Sequence, residues 1–262
     1  MRPRIAIPVP NSTRIDYVLR ALPQCERAVR AAGGEPVVID VKGTNAEIAQ
    51  AVKLCDGVLL PGSPADVDPE KYGALRHPKT APADPLRDNA DELLLQDAYN
   101  MRKPVLAICY GLQSLNVWRT GTLDQELPTG VKHEAGKTVP RAHNVQVDQQ
   151  SKLAAILEAA EALAADNQAM IPVNSNHHQA PELVGDGLRL AAWCPEDGVK
   201  EAVEGTTPDH FVLGVQWHPE RTYEDEAASR ALFRAFIKAA AEWHEHLASQ
   251  QQDFESVGKG SH

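Results

Sequence analysis

A cysteine at the junction of a strand and a helix is the clearest candidate for chemistry in this chain. An apolar run over residues 104–108 ends at Cys109, and helical spacing begins at Gly111. A residue on such a bend points outward, and the helix amides and dipole behind it favour a thiolate. The same amides can receive an oxyanion on an acyl group under attack. A buried structural cysteine at the end of a strand is the alternative.

A histidine and a glutamate two residues apart form the second candidate group. His218 and Glu220 follow an apolar run over residues 211–217, and residues at i and i+2 share one face of a strand. A carboxylate there can hold the imidazole in one tautomer and stabilise the imidazolium. If this strand end lies beside Cys109, the three side chains form a nucleophile, a general base and acid, and an orienting group. A chance pair at the surface is the alternative, since the chain has 10 histidines.

Alternating strands and helices predict how these groups are positioned. Short apolar runs at 5–9, 36–41 and 57–60 indicate strands, and helical patterns lie between them. Such βαβ units form a parallel sheet, in which ligands bind beyond the carboxyl ends of the strands. We therefore expect an α/β fold of three layers, with a central, mostly parallel sheet flanked by helices.

Several local features follow from the same patterns. The spacing predicts helices over 91–101, 151–165 and 222–247, and strands over 170–173, 188–192, 199–203 and 211–217. Asn45 is a candidate helix N-cap, and Val139, Val145 and Val147 alternate like a strand. The loop over 61–87 is long, and loops of this length are often functional.

Composition disfavours several classes of partner. The 262 residues include 26 basic and 36 acidic side chains, a formal net charge of −10, which disfavours nucleic acid and an anionic membrane. Four scattered cysteines without a C-x-x-C pair indicate reduced thiols in a cytoplasmic protein. The first apolar run is too short for a signal peptide, and no stretch reaches the length of a membrane span. We expect residues 1–247 to form a single domain and 248–262 a polar C-terminal tail.

Several motifs in order carry a family resemblance that covers nearly the whole chain. The chain resembles the class I glutamine amidotransferase-like superfamily, whose fold is flavodoxin-like. Within it, the chain is most similar to the γ-glutamyl-γ-aminobutyrate hydrolase type of the peptidase C26 family. The matching stretches are Ala-Ile-Cys109-Tyr-Gly111-Leu-Gln113, Gly214-Val-Gln-Trp-His218-Pro-Glu220, residues 61–73 from Pro-Gly-Ser-Pro to Tyr72-Gly73, Arg87-Asp88, and Asn174-Ser-Asn-His-His178-Gln.

The resemblance implies roles for the residues that match these motifs. Cys109 would be the nucleophile, His218 the base and Glu220 its partner. The backbone amides of Tyr110 and of Ser63 or Gly62 would form the oxyanion hole. The substrate would be contacted by the side chains of Gln113, His178 and Asn176. A solvated loop histidine is the alternative for His178. The resemblance implies neither a metal nor an organic cofactor.

Two residues depart from the family pattern near the nucleophile. Ala107 stands where the family usually has glycine, and Tyr110 replaces the usual arginine or leucine. The alanine methyl either packs within the strand or shifts the bend. The tyrosine amide can serve like any other, whereas its ring could reshape the pocket. We expect both departures to affect the choice of substrate more than the reaction itself.

The resemblance implies hydrolysis of a γ-glutamyl amide through a γ-glutamyl thioester. The expected partner is a small-molecule γ-glutamyl substrate such as γ-glutamyl-γ-aminobutyrate, an intermediate of putrescine catabolism. The resemblance leaves open whether the chain forms a homodimer. Three alternatives remain. They are a glutaminase subunit that passes ammonia to a partner synthase, a γ-glutamyl peptidase acting on glutathione-type conjugates, and a non-enzymatic sensor.

Overall fold

A nine-stranded sheet organises the chain. The structure is a computed structural model that describes residues 2–163 and 169–259, with side chains described up to residue 249. Within these residues the strands are β1 Arg4–Pro8, β2 Glu35–Ile39, β3 Gly57–Leu60, β4 Val105–Ile108, β5 Leu123–Asp124, β6 His143–Val147, β7 Met170–Val173, β8 Ala180–Pro181, β9 Leu188–Trp193, β10 Lys200–Gly205 and β11 Val212–Val215. Strands β5 and β8 form a separate two-stranded sheet.

The large sheet is mostly parallel. Its strand order is β2-β1-β3-β4-β11-β10-β9-β6-β7. The first five strands are parallel to their neighbours, and each later pairing is antiparallel. Among the nine strands described in this sheet, only β10 and β6 therefore run against the common direction. Strands β3, β4 and β11 are adjacent and parallel, so the segments that follow them emerge at one edge.

Helices cover both faces of the sheet. They are α1 Ile15–Ala31, α2 Asn45–Lys53, α3 Pro85–Met101, α4 Tyr110–Trp118, α5 Lys152–Ala159 and α6 Ala227–Lys259, with a 3₁₀ turn over Pro69–Tyr72. Alternate residues of β4 face opposite sides, as the period of a strand requires. Leu106 and Ile108 pack with residues of α1, α5 and α6, and Val105 and Ala107 pack with residues of α2, α3 and α4. The expected three-layer α/β fold is confirmed.

Two predicted helix starts were wrong because the capping chemistry lies elsewhere. Thr44, not Asn45, is the N-cap of α2, since it exchanges hydrogen bonds with Glu47 in a capping box. Helix α3 begins at Pro85 rather than at 91, because Asp84 caps it and proline suits the first turn.

Other predicted boundaries also moved. Strand β6 begins at His143, opposite the end of β7 at Val173, so Val139 lies outside it. Turn hydrogen bonds occupy residues 218–226, so α6 begins at 227 rather than 222, and it continues to Lys259, into the segment expected to be a tail. Helix α5 ends at Ala159, and residues 164–165 of its predicted span lie outside the described residues, as do residues 260–262 of the predicted tail. None of the helices in the described residues is both long and apolar enough to cross a membrane.

Candidate active site

The backbone at Cys109 forms a strained bend between β4 and α4. Cys109 has φ 52° and ψ −108°, in the left-handed region that side chains other than glycine rarely adopt. Its N–H donates to the carbonyl of Val215 on β11 at 2.8 Å, and its carbonyl accepts from the N–H of Gln113 at 3.1 Å. The bend has the geometry of a nucleophile elbow, in which the strained residue presents its side chain beyond the sheet.

Two small residues allow this bend. A Cβ on Gly111 would fall on the carbonyl oxygen of Leu60, so glycine lets the first turn of α4 pass close to β3. The side chain of Ala107 is fully buried, and β4 keeps its register, with Ala107 opposite Leu60 and Gly214. The extra methyl is therefore accommodated in the core.

The structure brings Cys109, His218 and Glu220 together, although more than a hundred residues separate the first two along the chain. A Cβ placed on Gly62 would lie 3.0 Å from Cε1 of His218 and 3.5 Å from Cβ of Cys109, so both side chains flank this glycine. Cys109 and His218 line one cavity of about 210 Å³. Nδ1 of His218 lies 2.7 Å from Oε1 of Glu220. Nε2 of His218 is buried and has no hydrogen-bond partner within the described part of the chain.

Burial sets the resting protonation of these groups. It raises the pKa of Cys109 to about 12, against a lowering by Arg221 and by the Tyr110 backbone amide. Burial also lowers the pKa of His218, with a further contribution from Arg221. For Glu220, burial opposes ionisation, but the neighbouring His218 and Arg221 hold its pKa below the ordinary value. Burial therefore opposes the thiolate that the helix amides favour, and it favours the neutral form of the imidazole.

The segment that precedes Gly62 and Ser63 is held by a buried arginine. Arg87, fully buried in α3, donates from Nη2 to the carbonyl of Pro61 at 2.7 Å and from Nη1 to that of Pro10 at 2.9 Å. Ser63 lines the Cys109 cavity, and its Oγ accepts from the N–H of Ala65 at 3.2 Å. The backbone amide of Tyr110 faces the Cys109 sulfur. These placements are compatible with the expected oxyanion donors.

The ring of Tyr110 is part of the interior. Its side chain is buried, its hydroxyl donates to Oδ1 of Asp88, and the Arg87 guanidinium carbon lies 5.0 Å from its ring centre. The ring packs in a small apolar cluster with Val67 and Val117. Arg87-Asp88, one of the motifs that carry the resemblance, therefore anchors the residue that follows the nucleophile.

The three expected substrate-binding residues line a neighbouring cavity of about 250 Å³, which Cys109 shares. Nε2 of Gln113 donates to the carbonyl of Gln179 at 2.9 Å and to Oε1 of Gln216 at 3.2 Å. Asn176 lines this cavity and the Cys109 cavity.

His178 is not a solvated loop histidine. Its ring lies between Asp66, at 3.1 Å from Nε2, and Glu126, at 3.0 Å from Nδ1. The hydrogen bond to Asp66 is the main reason that its pKa rises to about 9. The two carboxylates therefore favour the imidazolium form, and both ring nitrogens already face them.

Sequence reasoning missed two residues at the site. Asn174 accepts from the His218 N–H and donates to the His218 carbonyl, both at 2.8 Å, and so fixes the backbone of the histidine. Arg221 lines the Cys109 cavity. Asn174 belongs to a motif already singled out, and Arg221 directly follows Glu220, so position along the chain was the available signal.

Sequence reasoning also named no metal ligand. The structure gathers His133, His143, His177 and Glu201, all buried, with their potential ligand atoms within 4.8 Å of one another. These side chains come from separate segments, so no local spacing pattern could reveal them.

The three-layer α/β fold of the chain is shared with a protein of known structure. A solved structure from Thermoplasma acidophilum, described as a candidate subunit of GMP synthase, has the same fold. It superposes with a TM-score of 0.61 at 16% identity, over 95% of this chain and 98% of the other.

The particular family follows from sequence comparison. The model of the family Peptidase C26 matches residues 12–220, and the chain belongs to that family. The γ-glutamyl-γ-aminobutyrate hydrolase of Shigella flexneri is 35% identical over 236 residues, which cover 86% of this chain and 87% of that protein. A candidate glutamine amidotransferase-like protein of Lactococcus lactis is 34% identical over 209 residues, covering 78% and 82%.

Proposed function

We propose that the protein hydrolyses a γ-glutamyl amide bond, with Cys109 as nucleophile, His218 as general base and acid, and Glu220 as its orienting partner. The observation that carries the proposal is that Cys109 and His218 flank Gly62 in one cavity. An unpartnered Nε2 of a neutral histidine is able to accept the thiol proton. Its other nitrogen is held by a carboxylate, which stabilises the imidazolium that results.

The reaction proceeds in two halves. His218 takes the proton of Cys109 as the sulfur attacks the γ-carbonyl, so the charged pair forms only with substrate in place. The oxyanion is received by the amides of Tyr110 and of Ser63 or Gly62. The imidazolium protonates the leaving amine, which departs and leaves a γ-glutamyl thioester. Water, deprotonated by His218, then attacks the thioester and releases glutamate and the thiol.

The charges around the cavity favour a substrate that carries carboxylates. Four basic residues, Arg14, Arg20, Lys137 and Arg221, and one acidic residue, Asp16, line the Cys109 cavity. Nη1 of Arg221 is buried without a hydrogen-bond partner within the described part of the chain, and a carboxylate would satisfy it. A leaving group such as γ-aminobutyrate bears a carboxylate, whereas a free polyamine would bring positive charge to a basic cavity. γ-Glutamyl-γ-aminobutyrate is therefore the lead substrate.

A glutaminase that serves a partner synthase is the second candidate. The relative from Lactococcus lactis, with its amidotransferase-like description, favours it. The basic residues of the Cys109 cavity suit either the α-carboxylate that every γ-glutamyl compound carries, glutamine included, or a second carboxylate on the leaving group. Only the second case favours a larger γ-glutamyl compound over glutamine.

Release of glutamate from a panel of γ-glutamyl compounds tests the proposal. The panel contains γ-glutamyl-γ-aminobutyrate, γ-glutamylbutylamine as the isostere without the carboxylate, glutamine, and a glutathione conjugate. We expect the highest kcat/KM with the first compound. Turnover of glutamine only after a partner chain is added would favour the second candidate, and preference for the glutathione conjugate would favour a peptidase.

Matched cysteine variants test the nucleophile. Cys109→Ala should abolish glutamate release and leave the fold intact, because the residue lies on the bend between two elements. Cys55→Ala, at another buried free cysteine, should retain activity. Full hydrolysis by Cys109→Ala would reject the assignment.

A further inference from the structure

Three histidines and a glutamate converge in the interior, beside the cavity that Cys109 shares with Asn176 and His178. His133 lies in the segment before β6, His143 is the first residue of β6, His177 lies in the loop after β7, and Glu201 lies on β10. Each is less than a tenth exposed. One ligand atom from each lies within 4.8 Å of all the others.

The three distances from Glu201 are close to the edge length of a coordination tetrahedron. Oε1 of Glu201 lies 3.2 Å from Nδ1 of His133, 3.4 Å from Nε2 of His143 and 3.7 Å from Nε2 of His177. Nitrogen and oxygen ligands at about 2.0–2.1 Å from a tetrahedral zinc ion are separated by about 3.3–3.4 Å. The four atoms therefore lie close enough together for one ion to be shared among them.

The inward-facing atoms lack other partners. These three nitrogens and both carboxylate oxygens of Glu201 are buried and have no hydrogen-bond partner outside the cluster within the described part of the chain. Leaving one buried polar atom unsatisfied costs about 1–3 kcal/mol, so a group of buried atoms that face only one another favours an occupant. A bound cation satisfies the nitrogens and the carboxylate at once.

The outward-facing nitrogen of each histidine is held by an oxygen atom. The three contacts are His133 Nε2 to Asp197 Oδ2 at 2.9 Å, His143 Nδ1 to the Asn144 carbonyl at 3.2 Å, and His177 Nδ1 to the Gln179 carbonyl at 3.0 Å. A carbonyl or carboxylate partner places the ring proton on the outer nitrogen. The lone pair of the inner nitrogen is then free to coordinate, as in metal-binding histidines generally.

We propose that His133, His143, His177 and Glu201 bind one divalent transition-metal ion, with zinc the best match to the ligand set and spacing. All four positions are protein ligands and the site is buried, which is typical of a structural rather than a catalytic zinc. The ion would join β6, β10 and the two loops that carry His133 and His177, which no disulfide connects.

The site also supports the loop beside the proposed nucleophile. The N–H of His177 and the hydroxyl of Ser175 donate to the carbonyl of His133, at 3.0 and 2.7 Å. The same loop carries Asn174, which is hydrogen-bonded to His218, and Asn176, which lines both of the cavities that Cys109 lines. Metal binding would therefore order the wall of the candidate active site, and the four ligands act as positioning residues for it.

Metal content and thermal stability test the proposal independently of any turnover. The full chain without an affinity tag carries Cys109→Ala, so that the thiol beside His218 cannot take up the metal. After treatment with a chelator, the protein receives zinc, passes over a desalting column, and is analysed for zinc and for Tm. We expect one zinc per chain and a rise in Tm of several degrees, because an ion that binds only the folded state stabilises it.

Variants assign the ligands. His143→Ala and Glu201→Gln should each lose the bound zinc and the rise in Tm, whereas His77→Ala, at an exposed histidine, should keep both. Zinc retained equally by all variants would show adventitious binding. A chelator-treated chain that takes up no zinc and shows no change in Tm would overturn the proposal, and the cluster would then be a hydrogen-bonded network that shares protons.

Cobalt(II) substitution tests the ligand set by visible spectroscopy and does not depend on whether a ligand variant folds. Three nitrogens and one oxygen in a tetrahedron should give intense visible bands without a thiolate charge-transfer band. A thiolate band would instead assign the metal to the adjacent group of His133, Cys194 and Asp197 and overturn the proposed ligand set. Weak octahedral bands would equally contradict the closed tetrahedral site.

Discussion

The buried ion pair of Arg87 and Asp91 should control both stability and the shape of the nucleophile pocket. Both side chains are fully buried, and Nε of Arg87 lies 2.7 Å from Oδ1 of Asp91. The rest of the guanidinium binds the carbonyls of Pro10 and Pro61. Arg87→Met keeps much of the apolar volume and removes the charge and three hydrogen bonds.

The expected decrease in the free energy of unfolding can be worked out from the Asp91 carboxylate, which loses its partner. Burial already raises the pKa of Asp91 in the presence of Arg87, and removal of the guanidinium raises it further, so the folded variant holds Asp91 protonated. An unfolded aspartate has a pKa of about 3.9, so keeping it neutral at pH 7 costs about 4 kcal/mol. Each carbonyl left unpaired adds about 1–3 kcal/mol, against a total stability of about 5–15 kcal/mol.

The pH dependence distinguishes this reasoning from simple loss of packing. In the variant, the folded state binds a proton that the unfolded state has released above about pH 4. Stability is therefore lost as the pH rises, by about 1.4 kcal/mol per unit. The destabilisation of the variant that is due to Asp91 should decrease from about 4 kcal/mol at pH 7 to about 1.5 kcal/mol at pH 5.

Urea denaturation at pH 5, 6 and 7 measures the effect. Arg87→Met is compared with Arg87→Met/Asp91→Leu, in which the same carbonyls are unpaired but no carboxylate is buried, so the difference isolates Asp91. Arg30→Met, at an exposed pair with Glu26 of the same helical spacing, should lose less than about 1 kcal/mol. A difference between the Arg87 variants that does not change with pH would refute the argument.

Three further predictions concern the candidate active site. His218→Ala should lower kcat by roughly 10⁴-fold and Glu220→Ala by roughly 10²-fold, because an orienting group contributes less than the base; the reverse order would require the roles to be exchanged. Gly62→Ala should lower kcat while the circular dichroism spectrum stays unchanged, since its Cβ would lie 3.0 Å from the His218 ring, and an unchanged kcat would contradict this placement. Alkylation of Cys109 by iodoacetamide should accelerate about tenfold per pH unit between pH 7 and 9, because burial raises its thiol pKa to about 12. A rate independent of pH over that range would instead show a resting thiolate, with Cys109→Ser as the blank.

Local patterns along the chain were enough to predict the class of fold. Short apolar runs of strand length alternated with segments of helical spacing. This pattern indicated a three-layer fold with a parallel sheet between helices, because each element has to bury one face or stripe. The bend at Cys109 was also visible locally, since an apolar run ended at Cys109 and helical spacing began at Gly111. The structure adds the reason for the glycine, because a Cβ there would meet Leu60. Boundaries moved by a few residues where caps and turn hydrogen bonds, as at Thr44 and residues 218–226, determined them.

Tertiary structure decided what the motifs left open. The pairing of β11 with β4 brings His218 beside Cys109, a proximity that local spacing does not encode. Burial acts against the thiolate that the helix amides favour, and the sequence could not predict this because desolvation depends on everything packed around a group. The cluster of His133, His143, His177 and Glu201 arises only when β6, β10 and two loops meet. Each residue is ordinary in the sequence, and only the folded chain makes the four a potential ligand set.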